Sequence, residues 1–112
     1  MTERKIVPVE QVAPGATVVT GYFDVLQAAD VRDLAGLARP VVAVVLPLEG
    51  ELLPQRARAE LVAGLRIIDY VVIASGAGVV EQLRAALVVK MEEAQAQRAR
   101  QLKEHVRQRQ TR

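Results

Sequence analysis

The run Gly21-Tyr22-Phe23-Asp24-Val25-Leu26-Gln27-Ala28-Ala29-Asp30 gathers the residues of this chain best placed to do chemistry. An apolar stretch starting at Thr17 leads into it and a helical pattern begins near Asp30, so it reads as strand end, turn and helix start. A glycine at a strand end lets the backbone turn tightly or come close to a ligand. Asp24, Gln27 and Asp30 then collect near a helix N-terminus, where an anion is ordinarily welcome. Parallel sheets bind ligands beyond the C-terminal ends of their strands, where strand order reverses. Gly21, Tyr22, Phe23, Asp24 and Gln27 are therefore candidate ligand-binding residues, and Lys90, just after the last apolar run, is the cation best placed for an anionic ligand. No glycine follows Gly21 by two or five residues, so the dinucleotide fingerprint is absent, as is a phosphate loop ending in Gly-Lys-Ser/Thr.

Several other residues have two readings each. Asp24 either faces a ligand or ties down its own loop by accepting backbone N–H groups. Arg56 and Arg58 either reach a phosphate or lie solvated on a helix. Gly76 and Gly78 form either an anion nest or a plain strand-to-helix turn. His105 reads as a surface histidine of the polar tail, and Asp69-Tyr70 as structural residues at the start of a strand.

Composition removes whole classes of function. The chain has 112 residues, no cysteine and a single histidine, which excludes disulfide scaffolds, thiolate metal sites, cysteine nucleophiles and histidine clusters. No metal site is expected, except that Asp30 and Glu92, if close together, could hold magnesium with a bound nucleotide. No apolar window is long enough to span a bilayer, and residues 1–10 lack the apolar run of a secretory signal, which points to the cytoplasm and away from membranes.

The elements that must position these residues follow from hydrophobic patterning. Thr17 to Phe23, Pro40 to Leu46 and Ile67 to Ala74 are Val/Ile-rich runs without polar alternation, the pattern of strands buried on both faces. Ala86 to Val89 is a fourth, shorter run that either forms a strand or continues a helix. Between them, helical spacing runs from Asp30 to Ala38, from Pro54 to about Arg66 and from Val79 to Ala85, the last preceded by the break Ser75-Gly76-Ala77-Gly78. Asp30 with Asp33 resembles a capping pair. Met91 to about Arg109 should be helical, with a thin apolar stripe at Ala99, Leu102 and Val106. Alternation of strand and helix without hairpin signals predicts an α/β fold with a parallel sheet.

Residues 1–89 hold eight basic and ten acidic side chains, whereas residues 90–112 hold seven basic and three acidic, so the basic character sits in the tail. The expected organisation is an α/β domain over residues 1–90 and a basic helix over 91–112 that packs on it or pairs in a dimer. Nucleic-acid contact by residues 98–112 is a further class, but the tail has no aromatic side chain on which a base could stack.

The segment from Gly21 to Val31 resembles the start of the cytidylyltransferase-like nucleotidyltransferases, closest to the branch that makes ADP-heptose or CDP-glycerol. That family reads Gly-x-Phe-Asp-x-x-His-x-Gly-His-Val here. Leu53-Pro54 through Arg58-Ala59-Glu60-Leu61 to Ile68-Asp69-Tyr70-Val71-Val72 is similar to its second helix and third strand, and Val79 to Lys90 matches loosely, so the resemblance covers roughly residues 15 to 90. It implies a Rossmann-like sheet of strand order 3-2-1-4 with a site between the first and fourth strands. It also implies transfer of a nucleotidyl group from CTP or ATP to a phosphorylated acceptor, usually with magnesium.

The motif is degenerate. Gln27 and Asp30 stand where the family has its two histidines, and Ala29 replaces the glycine between them. Those histidines stabilise charge on the transferring phosphate. Gln27 keeps one neutral donor, whereas an ionised Asp30 donates nothing and repels phosphate. Losing one such donor raises a barrier by about 3–4 kcal/mol. The tail also lacks the family's Ser/Thr-rich phosphate motif, and Glu92 and Glu93 fall near the expected nucleotide. The expectation is a catalytically degenerate domain that acts in binding or assembly, as a homo-oligomer. The alternative is an active or altered nucleotidyltransferase that transfers CMP or AMP to a sugar or polyol phosphate.

Overall fold

Four short strands take up the β-branched runs of the sequence: β1 (Thr17–Gly21), β2 (Val41–Val45), β3 (Tyr70–Ile73) and β4 (Leu87–Lys90). The structure is a computed structural model that describes residues 2–76 and 78–110. The strands form one parallel sheet of order β3-β2-β1-β4, with Val19 opposite Ala43 and Val89, and Val44 opposite Val72. The fold is therefore α/β with a parallel sheet, as the alternating pattern predicts, and Rossmann-like in its strand order. The short run before Met91 is a strand, not a helical extension.

Four helices connect or follow the strands: α1 (Ala28–Leu34), α2 (Gln55–Ala63), the single turn α3 (Val79–Gln82) and α4 (Glu92–Gln110). Each of the first three is shorter than its apolar pattern. α1 starts two residues before Asp30, with Gln27 as its N-cap, so Asp30 sits inside the first turn rather than at the cap. α2 stops at Gly64, well before Arg66. The break before α3 contains Ala77, which lies outside the described residues, as do Thr111 and Arg112.

Strand alternation divides the core. Val19, Val41, Ala43, Val45 and Val71 point to one face and pack with Leu34, Ala59, Val62, Ile68 and Met91. Val18, Val42, Val44 and Val72 point to the other and pack with Ala16, Ala74 and Leu83. All five residues of β2 are buried, as expected of a strand covered on both sides. At about 1.5–3 kcal/mol for each fully buried large aliphatic side chain, these two layers are the main source of stability.

The two sheet edges are treated differently. At β3, Ile6 forms a parallel bridge to Val71 and Lys5 donates its ammonium to the Leu65 carbonyl at 3.0 Å, so the N-terminal segment covers that edge. At β4, Leu87 and Val88 are exposed. Among the described residues no helix is long and apolar enough to cross a membrane.

Candidate functional site

The strand order reverses beside β1, whose neighbours are β2 and β4, and the crevice at its C-terminal end is where ligands bind in sheets of this type. α4 enters that crevice directly. Only Met91 separates β4 from α4, and its N–H donates to the Thr20 carbonyl at 2.8 Å. The helix therefore starts across the end of β1.

Gln95, one turn further, is buried and completes the contact. Its side-chain oxygen accepts from the Tyr22 N–H at 2.6 Å and the Phe23 N–H at 3.1 Å, while its amide nitrogen donates to Asp30 Oδ1 at 3.1 Å. The surroundings fix the orientation of the amide: a flip would set NH2 against two N–H groups and an oxygen against a carboxylate. Gly21 makes room for it, because a Cβ there would lie 2.7 Å from Gln95 Oε1 and 2.9 Å from the Phe23 ring. Phe23, fully buried, takes a left-handed φ of 51° that turns its N–H toward the same oxygen. The close approach for which a strand-end glycine is suited is here made by the chain's own helix.

Asp30 is 2% exposed, and each carboxylate oxygen has a partner. Oδ2 accepts the Gln27 N–H at 2.9 Å, which satisfies an orphan donor of the α1 N-terminus. Oδ1 accepts from Gln95 and from the Arg98 guanidinium at 2.5 Å, and Arg98 also lies 3.7 Å from Asp33. Asp30, expected as an anion that would repel phosphate, has its charge offset by a cation from α4. Gln27 is exposed at the helix start.

Of the two readings of Asp24, the geometry is that of a loop tie. Its carboxylate accepts the backbone N–H groups of Leu52 at 2.6 Å and Leu53 at 3.0 Å, which joins the β1–α1 loop to the β2–α2 loop. Arg58 corrects a sequence expectation. Neither solvated nor aimed at a ligand, it is fully buried among Ala59, Val62 and the strand ends. It donates to the carbonyls of Leu53, Tyr22 and Leu46 at 3.0, 2.7 and 2.9 Å and to Glu51 at 2.6 Å. A guanidinium supplies this number of directed donors from one planar group, which is why an arginine can be held inside. Arg56 is exposed and pairs with Glu60 at 3.4 Å.

Lys90 is exposed as the last residue of β4, opposite Thr20 in register. Glu92 accepts the Thr20 hydroxyl at 2.6 Å, so neither it nor Asp30 presents an open carboxylate pair. Among the described residues no group of three or more Asp, Glu or His side chains is arranged to hold a metal ion. Gly78 adopts φ 93° at the start of α3, as a turn requires, and the side chain of His105 lies outside what is described. Asp69 is structural: it binds Arg39 at 2.5 Å and caps the Val41 N–H at 2.7 Å. The space left in the crevice is a cavity of about 180 Å³ between Tyr22, Asp24, Leu48, Leu52, Ala96 and Ala99. This is below the range of about 300–1,000 Å³ usual for small-molecule sites. A larger open groove of about 400 Å³ lies elsewhere, between the N-terminal segment, Ile73 and Val79.

Sequence reasoning missed Gln95 and Arg98, which sit in a polar helix with no motif around them. The only signal was spacing: Gln95 lies four residues after the apolar Met91, on the same helical face. No protein-family model matches this chain, and no curated protein matches it.

Proposed function

We propose that this chain is a catalytically degenerate nucleotidyltransferase-like domain that works through binding or assembly, with its C-terminal helix standing where a nucleotide would lie. The observation that carries the reading is Gln95 on the Tyr22 and Phe23 amides, at the end of the strand where the resemblance puts the ligand. Two backbone donors at a strand end suit a phosphate oxygen, and an uncharged side-chain oxygen of the same chain satisfies both. The positions matched to the two histidines support it as well. Gln27 is exposed at the cap of α1, and Asp30 is buried beneath Gln95 and Arg98, acting only as an acceptor. Neither arrangement supplies the pair of aimed donors that charge build-up on a transferring phosphate calls for.

The test is calorimetry with CTP and ATP, each with and without magnesium, on the full chain. No heat and no thermal shift at millimolar nucleotide is the expected outcome. Affinity tighter than about 100 μM that disappears in Asp24→Ala would sink the proposal and restore the active alternative.

A further inference from the structure

We infer that the groove at the outer edge of β3 binds the carboxyl-terminal residues of an extended aliphatic peptide, seated as a further short strand beside Ile73. The groove lies at the opposite edge of the sheet from β4, so its occupancy is independent of whether a nucleotide binds at the β1 crevice.

The N-terminal segment covers the β3 edge only as far as Val7. There the Val7 N–H donates to the Val71 carbonyl at 2.9 Å, beside an isolated parallel bridge between Ile6 and Val71. Pro8 follows, which has no N–H to continue the ladder, and the chain leaves the edge for the turn Val9–Gln11. Strand geometry fixes what is left behind, because the backbone groups of alternate residues face the same edge. The Val71 carbonyl faces outward to Val7, and the Ala74 N–H faces inward to the Val45 carbonyl at 3.1 Å. The N–H and carbonyl of Ile73 therefore face outward, into the groove. Among the described residues neither has a hydrogen-bond partner. A donor and an acceptor side by side on a strand edge are matched by the amide of another extended segment.

The lining narrows the ligand further. At about 400 Å³ the groove falls within the range usual for ligand sites. Its walls include Ile6, Val9, Val72 and Val79, which suit an aliphatic side chain and offer no ring for stacking. Beyond the end of β3 stand Ser75 and the exposed guanidinium of Arg56, whose pair with Glu60 at 3.4 Å is solvent-exposed and weak. An arginine presents a planar fork that matches a carboxylate. Glu10 also lines the groove and disfavours a ligand with more than one negative charge, whereas a peptide terminus carries one. A segment paired with Ile73 that ends beside Ser75 runs parallel to β3, in line with Ile6 and Val7.

Heteronuclear NMR of the full chain, titrated with acetyl-Ala-Val-Val bearing a free carboxylate, is the test. Saturable shifts of the Ile73 and Val9 amides are expected, with a dissociation constant of about 0.5 mM. The carboxamide of the same peptide should bind about tenfold more weakly, and so should the acid to Arg56→Gln, with circular dichroism unchanged at this exposed site. Absence of saturable shifts up to about 10 mM peptide overturns the proposal. An affinity indifferent to the carboxamide or to Arg56→Gln overturns it as well. Inorganic phosphate that shifts the same amides as strongly as the peptide does so too, and makes the groove an anion site. Shifts at Tyr22 and Phe23 in place of Ile73 would put the peptide in the β1 crevice, again against the proposal. Failure of the nucleotide reading would appear as heat with CTP or ATP and leave these titrations unchanged.

Discussion

Gln95 and Asp30 lie 65 residues apart in the chain, yet the amide of one donates to the buried carboxylate of the other at 3.1 Å. Through that bond α4 joins the end of β1 to the first turn of α1. Replacing Gln95 by Leu leaves the Tyr22 and Phe23 N–H groups without their acceptor, while Asp30 Oδ1 keeps only its Arg98 partner. Urea unfolding should register a loss of about 2–3 kcal/mol, since each unsatisfied buried group costs about 1–3 kcal/mol. A variant as stable as the parent would mean that water replaces the amide.

Gly21→Ala tests the close approach from the other side. The added methyl would lie 2.7 Å from Gln95 Oε1, so the helix or its amide must move. The double variant Gly21→Ala/Gln95→Ala should be less destabilised than the sum of the singles by about 1 kcal/mol, because both remove the same contact. Additivity would show that Gly21 matters only for the backbone.

Arg58→Lys keeps the charge but not the fork. One ammonium cannot reach four acceptors spread over Leu53, Tyr22, Leu46 and Glu51. Chemical denaturation should show a loss of about 2–3 kcal/mol despite the conservative change. Arg56→Lys, at an exposed site, serves as the control and should stay within about 0.5 kcal/mol.

Asp69 gives the fold an acid limb. The hydrogen bond from Arg39 holds its carboxyl below the ordinary carboxylate range; partial burial opposes this, and the Val41 N–H and the charges of Arg39 and Lys5 assist it. A depressed folded-state pKa means that the unfolded chain binds the proton more readily. The contribution is therefore complete above the unfolded value, about 3.9, and is lost as pH falls through the lower folded value. Thermal melts between about pH 6 and pH 2 should fall less steeply for Asp69→Asn than for the parent. Parallel curves would place the acid sensitivity elsewhere.

Strand position was legible in the hydrophobic pattern because buried β-branched runs have few alternatives: Val41–Val45 can hardly be anything but a central strand, whereas the order of the strands came only from the resemblance. Helix limits were less so. α1 ends earlier than its apolar spacing because Ala35 is extended and Gly36 takes a left-handed φ of 84°, and after both helices the apolar residues Leu37, Leu65 and Ile67 still pack on the core, which is why the spacing ran past the helix ends. The crevice was legible by half. Gly21, Tyr22 and Phe23 could be located from the strand end, but what satisfies them could not, since Gln95 is an ordinary residue in an Ala/Gln/Arg helix. Arg58 was missed through a general expectation about arginines, although its position four residues before Val62 places it on the buried face of α2.

The one-residue join between β4 and α4 has a consequence during synthesis. The ribosome makes β1 and Asp30 first and Gln95 and Arg98 last, so for most of translation the two amides and the carboxylate wait for partners that do not yet exist. Because a single residue joins them, the fourth strand and the helix reach the sheet together at the end of synthesis, and a chain released before residue 87 would lack both.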